Sequence, residues 1–311
     1  MLSRIAESLY WMGRYVERAD DTARLLDVHV HRMLADATDE RMGSTLIAAM
    51  GLAGSAEVSD VDLWRATELL AYDQDNPSSV AGSLRLAREN ARGLRETLAT
   101  DVWEAINRTH HDLDAQVRAA RALGPNLFFR WVGERVALLG GLIDSVVLHD
   151  DGWRFLTAGR CLERVDMTAR LLAAVTTDDD ASRWTSVLES CGANDAFLRT
   201  HGGEVTRERA LAFLLQSEDL PRSVVFALRR AENCLAEIAV ANGSPGRSVR
   251  VVGRARSELT YASAPDLVAR ADEVVEGLQR ACQEVDELVR GRYFRRADLI
   301  EWASDIQGVG A

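Results

Sequence analysis

The sequence predicts an all-α fold, a multi-helix bundle, on three observations. Apolar residues recur at helical spacing along nearly the whole chain, while strand-type alternation is scarce. Only five prolines interrupt the 311 residues, so long helices are allowed. Two segments 146 positions apart are nearly the same helix: GRYVERADDTARLL from Gly13 to Leu26, and GRCLERVDMTARLL from Gly159 to Leu172, identical at ten of fourteen positions. A second pair follows at an offset of 144, where Asp75, Pro77, Ser79, Val80, Leu84, Arg85 and Ala87 match Asp219, Pro221, Ser223, Val224, Leu228, Arg229 and Ala231. The chain thus reads as a degenerate tandem duplication, residues 1–148 and 149–311, the two repeats sharing one core in one compact domain.

The first helix is expected over 3–37. At 100° per residue, Ile5, Leu9, Met12, Val16, Ala19, Ala23 and Leu26 share one face. Glu7, Tyr10, Arg14, Glu17, Arg18, Asp21 and Arg24 occupy the other. Helices over 44–53 and 60–72 follow. Asn76-Pro77 with Ser78 opens one over 78–98, then 101–122, and Gly124-Pro125 separates that from 127–148. The second half reads 153–175, an Asp178-Asp179-Asp180 loop, 184–199 and 206–217. Leu220-Pro221 with Ser223 starts 221–241, and after the loop Asn242–Gly246 come 248–260, 266–291 and 295–305.

The repeated identities are not confined to core-type residues. Gly13, Arg14, Glu17, Arg18, Asp20, Thr22 and Arg24 recur as Gly159, Arg160, Glu163, Arg164, Asp166, Thr168 and Arg170, whereas Tyr15, Val16 and Ala19 have drifted to Cys161, Leu162 and Val165. A solvated face tolerates most polar exchanges, so two diverging copies would lose such identities quickly. Along the first helix the stripe offers Arg14 to Glu17, Arg18 to Asp21 and Asp20 to Arg24 as neighbouring pairs. Two fates compete: a solvated, salt-bridged surface, and a partly buried network where the motif helices meet across a pseudo-twofold axis, with pairing demanded by burial.

A second arginine stripe lies in RLARENARGLRE. Arg85, Arg88, Arg92 and Arg95 fall on one edge, flanked by Glu89, Asn90 and Glu96, opposite an apolar side of Val80, Leu84, Ala87, Ala91, Leu94 and Leu98. Pairing through Arg85–Glu89 and Arg92–Glu96 would make it a solvated edge. Left unanswered, the guanidinium groups would cradle a phosphate or carboxylate.

Composition excludes several functions. The net charge is −11, which disfavours binding a phosphate backbone, so no nucleic-acid partner is expected. All 37 basic residues are arginine. Without lysine there is no Schiff-base, Walker-type or general-base lysine. Cys161, Cys191, Cys234 and Cys282 are too widely spaced for a CxxC site and read as reduced, buried thiols. The six histidines form no HExxH and no i,i+4 pair, so neither metal nor cofactor is expected. The N-terminus has no apolar h-region, and no apolar run reaches membrane length, which points to a cytoplasmic protein. Ala19-Asp20-Asp21 resembles the aspartate clusters of helical prenyl-transfer enzymes, but Arg24 stands where a magnesium-binding carboxylate would be needed.

SRIAESLYWMGRYVERADDTARLL, DNPSSVAGSLRLARENARGLRETL with the following VWEAIN, and DLPRSVVFALRRAENCL together resemble the bacterial alpha-E family across essentially the whole chain. The resemblance implies an all-helical protein encoded beside a circularly permuted ATP-grasp ligase and a transglutaminase-like protein, in a system that makes or modifies a peptide or amide-linked molecule. It carries over Glu7, Tyr10, Trp11, Arg14, Glu17, Arg18 and Arg24, together with Asn76, Pro77, Arg88, Glu89, Asn90, Arg92, Arg95, Trp103 and Asn107, as family-type positions. The second copy departs where Tyr10, Trp11 and Asp21 become Leu156, Thr157 and Met167. The expected function is an accessory or substrate-handling subunit that binds an anionic ligand, peptide or partner. The alternatives are a helical enzyme of unknown reaction, with Glu17 and Glu163 as acid and base or with catalytic residues in a cavity between the halves and arginines stabilising developing negative charge, and a purely structural scaffold. A closed polar cavity around those glutamates would favour binding or catalysis; full exposure would favour the scaffold.

Overall fold

The computed structural model describes residues 3–35, 42–51, 61–95, 97–241 and 246–294. Every regular element among them is helical. The first half comprises α1 (Ser3–Ala35), α2 (Met42–Ala49), α3 (Leu63–Thr67) with a π-helical turn at Glu68–Tyr72, α4 (Val80–Arg92), α5 (Thr100–Leu123) and α6 (Asn126–Val146). The second comprises α7 (Asp151–Ala173), α8 (Ala181–Ser190), α9 (Asn194–His201), α10 (Arg207–Gln216), α11 (Val224–Ala241), α12 (Arg247–Tyr261), α13 (Ala264–Ala269) and α14 (Ala271–Val289), closing with a π-helical turn at Arg290–Phe294.

The α1 helix is central rather than superficial. It packs on α4, α6 and α7, and Glu17 and Arg18 of its charged face pair with residues of α7. The α7 helix stands the same way between α1 and the pair α11 and α14. The remaining contacts run in parallel order: α4 on α5 and α5 on α6, α11 on α12 and α12 on α14. One contiguous apolar core runs from Ala6 to Phe294 through both halves, with Tyr10, Phe128, Trp184 and Phe197 wholly buried. Burial of apolar surface on this scale is the dominant favourable term in such a fold.

Local chemistry sets the helix starts. Ser79 caps α4 by accepting from the Gly82 N–H at 2.9 Å, and Ser223 accepts from the Phe226 N–H at 3.2 Å at the head of α11. Both serine hydroxyls also donate back to a carbonyl six residues upstream, Asp73 and Ser217. Arg85 and Arg229 then reach the carbonyls of Gln74 and Glu218, again 144 positions apart. Asp150 caps α7 through the Gly152 and Trp153 N–H groups. Such a cap contributes about 1 kcal/mol.

Several sequence expectations are corrected. The 184–199 helix breaks into α8 and α9 at Gly192, whose φ of +62° only glycine adopts without strain. The 78–98 helix stops at Arg92, and 266–291 breaks at Arg270, where Ser263 caps the short α13 with Pro265 in its first turn. The 60–72 helix starts at Leu63, capped by Asp62, and ends in the π-helical turn. The expected 295–305 helix lies outside the described residues. No described helix is long and apolar enough to cross a membrane.

Candidate functional site

The repeated motif residues meet along the α1–α7 interface. A Cβ built on Gly13 would overlap the carbonyl of Leu156 and crowd the Arg160 nitrogen, and one on Gly159 would overlap the carbonyl of Tyr10 and crowd the Arg14 nitrogen. Leu156 and Arg160 are the counterparts of Tyr10 and Arg14, so the two contacts exchange under a local twofold. Gly13 lies beside 156–160 and Glu17 beside 160–164, so the helices run parallel. Only glycine permits this backbone approach at both positions.

The close approach brings charged side chains of the two helices into pairing distance. Arg18 donates to Glu163 from Nε at 2.5 Å and Nη2 at 3.0 Å, and Arg164 donates to Glu17 from Nε at 2.6 Å. The next arginine back joins each side: Arg14 Nε lies 2.8 Å from Glu163, and Arg160 Nε lies 3.5 Å from Glu17. Neither of those Nε groups makes a directed hydrogen bond, so the contacts are ionic. Both glutamates are 1% exposed. Burial pushes their carboxyls up, but the arginines outweigh it: Arg164, Arg160 and Arg222 hold Glu17, and Arg18 and Arg14 hold Glu163, below the usual carboxylate range.

The intrahelical pairs Arg14–Glu17 and Arg18–Asp21 therefore do not form; those arginines reach across to α7 instead. Asp20–Arg24 does form at 2.9 Å, and its counterpart Asp166–Arg170 has the same spacing and length. Arg24 continues onto Gly192 just after α8, and Arg170 onto Gly51 just after α2. There each cation faces the partial negative charge of a helix C-terminus.

The two sides differ where the two matching segments differ in sequence. On one side Arg222 pairs with Asp20 and, at 2.7 Å, with Asp21. The corresponding positions on the other side are Ser78 and Met167, so both members of the extra pair are missing together. Burial, then Glu17, raise the Asp21 carboxyl against Arg222 to about 7. On the other side Asp286 of α14 accepts from Tyr10 and from Arg14 at 2.8 Å. Burial raises Asp286 despite Arg14, and burial and Asp286 together hold the Tyr10 phenol protonated. Leu156 stands at the Tyr10 counterpart, and Gly140 lies against Arg160 where Arg14 meets Asp286. Arg222 and Asp286 were missed in the sequence because neither sits in the repeated helix. The joint change of Asp21 to Met167 and Arg222 to Ser78 was the available signal for the first; Asp286 had none.

The α4 stripe is less buried and internally answered. Arg88 reaches Asn107 at 3.3 Å and Glu89 at 2.7 Å and lies over the Trp103 ring. Arg92 takes the other Glu89 oxygen at 2.9 Å, replacing the expected Arg85–Glu89 pair, while Arg85 turns to the Gln74 carbonyl. Asn90 donates to the Leu86 carbonyl. Arg92 and Arg95 are exposed; Glu96, and with it the Arg92–Glu96 pair, lies outside the described residues. Glu7 is half-buried on α1, away from the paired cluster. All four cysteines are free and buried, and burial raises the Cys191 thiol to about 12.

Chemically, the interface is a buried ion-pair array in which carboxylates and guanidinium groups nearly balance. Glu17 and Glu163 lie off the surface, and each of their carboxylate oxygens faces an arginine. Carboxyls held below the usual range stay ionised near neutral pH, which disfavours them as proton donors.

A family model described as a predicted alpha-helical domain with a conserved ER motif, Alpha-E, matches residues 1–294. Glu17-Arg18 and Glu163-Arg164 are the two such dipeptides in the repeated helices. Curated relatives include uncharacterized proteins of Mycobacterium bovis and of two Mycobacterium tuberculosis strains, each 26% identical over 92% of this chain and 36% of the relative. The chain thus spans about a third of the length of the curated relatives it matches. No solved structure matches it.

Proposed function

The chain belongs to the Alpha-E family, and from that premise we propose that it is a cytoplasmic accessory subunit, not an autonomous enzyme, of an amide-ligase system. In this reading it works with a circularly permuted ATP-grasp protein and a transglutaminase-like protein and handles an anionic peptide, carrier or partner surface. One observation carries the reading: the strongest acid–base candidates, Glu17 and Glu163, are bound by arginines of the opposite helix and lie 1% exposed. That counts against the enzyme alternative in which they serve as acid and base. The array instead joins the two halves, which we read as diverged copies, into one rigid platform.

Two further points support the reading. The absence of lysine removes the phosphate-binding lysine that nucleotide chemistry commonly uses. In the mycobacterial relatives the same unit is part of a chain almost three times as long, as suits a module that acts beside others. Contact with anions falls to exposed arginines, among which Arg92 and Arg95 on α4 are themselves family-type positions.

Co-expression with the neighbouring ATP-grasp protein tests this. The two should co-purify, Arg88→Gln with Arg92→Gln should weaken the binding without loss of helical content, and the isolated chain should hydrolyse no ATP. Ligase turnover by the chain alone would overturn the assignment.

A further inference from the structure

In the second half α14 holds the place that α6 holds in the first: α7 packs on α14 as α1 packs on α6. The outward faces of these two helices differ. Every exposed residue of α14 is polar, namely Asp272, Glu273, Glu276, Arg280, Gln283 and Glu287. Those of α6 include Leu127, 58% exposed, and Leu138, 41% exposed, with Ala137 exposed beside the latter. The spacing from Leu127 to Leu138 is close to three helical turns, which returns both leucines to one side of the helix. Scattered exposed leucines need no explanation, but large apolar residues sharing a face with a small one are what helices use to pack on each other.

Between the leucines stand Arg130 and Glu134. Both are exposed, and among the described residues neither makes an ion pair or a hydrogen bond; Arg130 acts on Asp27 of α1 only at longer range. Arginine ahead of glutamate at this spacing is the less favourable order for pairing within one helix. At 100° per residue Leu127, Arg130, Glu134, Ala137 and Leu138 share an arc of about 100°. That face is self-complementary when set against a second, antiparallel copy. With a twofold axis at the level of Val132, Arg130 of each chain stands level with Glu134 of the other, and Leu127 with Ala137, whose small side chain leaves it room. A parallel pairing would set arginine on arginine and glutamate on glutamate. We propose that α6 is the contact helix of a symmetric, antiparallel dimer of this chain, with Leu127 and Leu138 packed around Ala137 and reciprocal Arg130–Glu134 pairs fixing the register. Burial of the leucines supplies the attraction, while ion pairs at an exposed rim contribute little energy and select the partner. The dimer does not rest on the accessory-subunit reading.

Sedimentation velocity of the full chain, at concentrations up to about 100 µM, tests this. The wild type should dimerise. Leu127→Glu with Leu138→Glu should be monomeric at unchanged helical content, because both side chains are exposed. Arg130→Glu alone and Glu134→Arg alone should each weaken dimerisation by about tenfold or more, since each sets like charges level with one another. An equimolar mixture of these two single variants should recover the wild-type affinity as a heterodimer, an outcome that reciprocal pairing alone predicts. A monomeric wild type would overturn the proposal; if the leucine variant then also fails to co-purify with the ATP-grasp protein, the face belongs to that partner. A dimer that persists in the leucine variant would place self-association on another face, and a mixture no tighter than either single variant would reject the Arg130–Glu134 register. Either result overturns the proposed dimer.

Discussion

Glu17 and Glu163 exchange arginines: Arg164 donates to Glu17 at 2.6 Å, and Arg18 donates to Glu163 at 2.5 Å. Each Glu-Arg dipeptide thus completes the other, and neither is satisfied within its own half. Isolated carboxylates at 1% exposure would be strongly disfavoured, so the pairing requires both helices to be in place. The motif specifies an assembled pair of helices and contributes register more than raw stability.

The glycine contact should be as intolerant as the ion pairs. Gly13→Ala or Gly159→Ala places a methyl group against backbone that cannot rotate away, and should destabilise by about 3 kcal/mol or more, at the upper end for overpacking. Urea unfolding measures this. Gly141→Ala, exposed inside α6 with open space around its Cβ position, is the control and should be neutral or stabilising by up to about 1 kcal/mol.

Asp21 and Arg222 should behave as a replaceable unit. Asp21→Met leaves Arg222 with Asp20 and Glu17, while Arg222→Ser strands Asp21 in a buried acidic cluster. The double variant reproduces the Met167–Ser78 combination of the other half and should be more stable than Arg222→Ser alone by about 1–2 kcal/mol. Strictly additive single effects would contradict the pairing.

Asp21 should also make stability pH-dependent. Its carboxyl titrates near 7 in the fold, above its ordinary value of 3.8, so the folded state holds a proton that the unfolded chain releases. Its contribution is full below about pH 4 and is lost as pH rises through 7. Asp21→Asn should therefore gain stability relative to wild type across that window, seen as a difference in Tm that widens from pH 4 to pH 8. A pH-independent difference would contradict the assignment. Glu17 and Glu163 run the opposite way: their stabilisation is present above the ordinary carboxylate range and is lost as pH falls through their lowered values.

The all-α class and most helix positions were legible from apolar periodicity, and a constrained polar stripe from the identities shared by 13–26 and 159–172, whose burial the sequence left open against a solvated surface. Helix periodicity placed α5, α6 and α7 to within a few residues, since long amphipathic runs with flanking Gly, Pro or Asp are the clearest signal a chain carries. The pairing partners were not legible. Arg14–Glu17 and Arg18–Asp21 are good i,i+3 neighbours, and nothing local reveals that a glycine contact would bring Glu163 nearer than Glu17. The break at Gly192 was missed although Ser190, Cys191, Gly192, Asn194 and Asp195 are weak helix formers, because apolar residues on both sides of it continue the helical spacing. Asp286 was out of reach because its partners, Tyr10 and Arg14, lie more than 270 positions away.

The most direct test is a double-mutant cycle between Glu17 and Arg164, with Glu17→Gln, Arg164→Gln and the double variant compared by urea unfolding. If the two are a buried pair across the α1–α7 interface, each single change should destabilise by about 3 kcal/mol or more, because it leaves a desolvated charge. The double change should cost markedly less than their sum, giving a coupling of at least about 2 kcal/mol. A coupling indistinguishable from zero would contradict the reciprocal clamp and return both glutamates to the list of groups free to do chemistry.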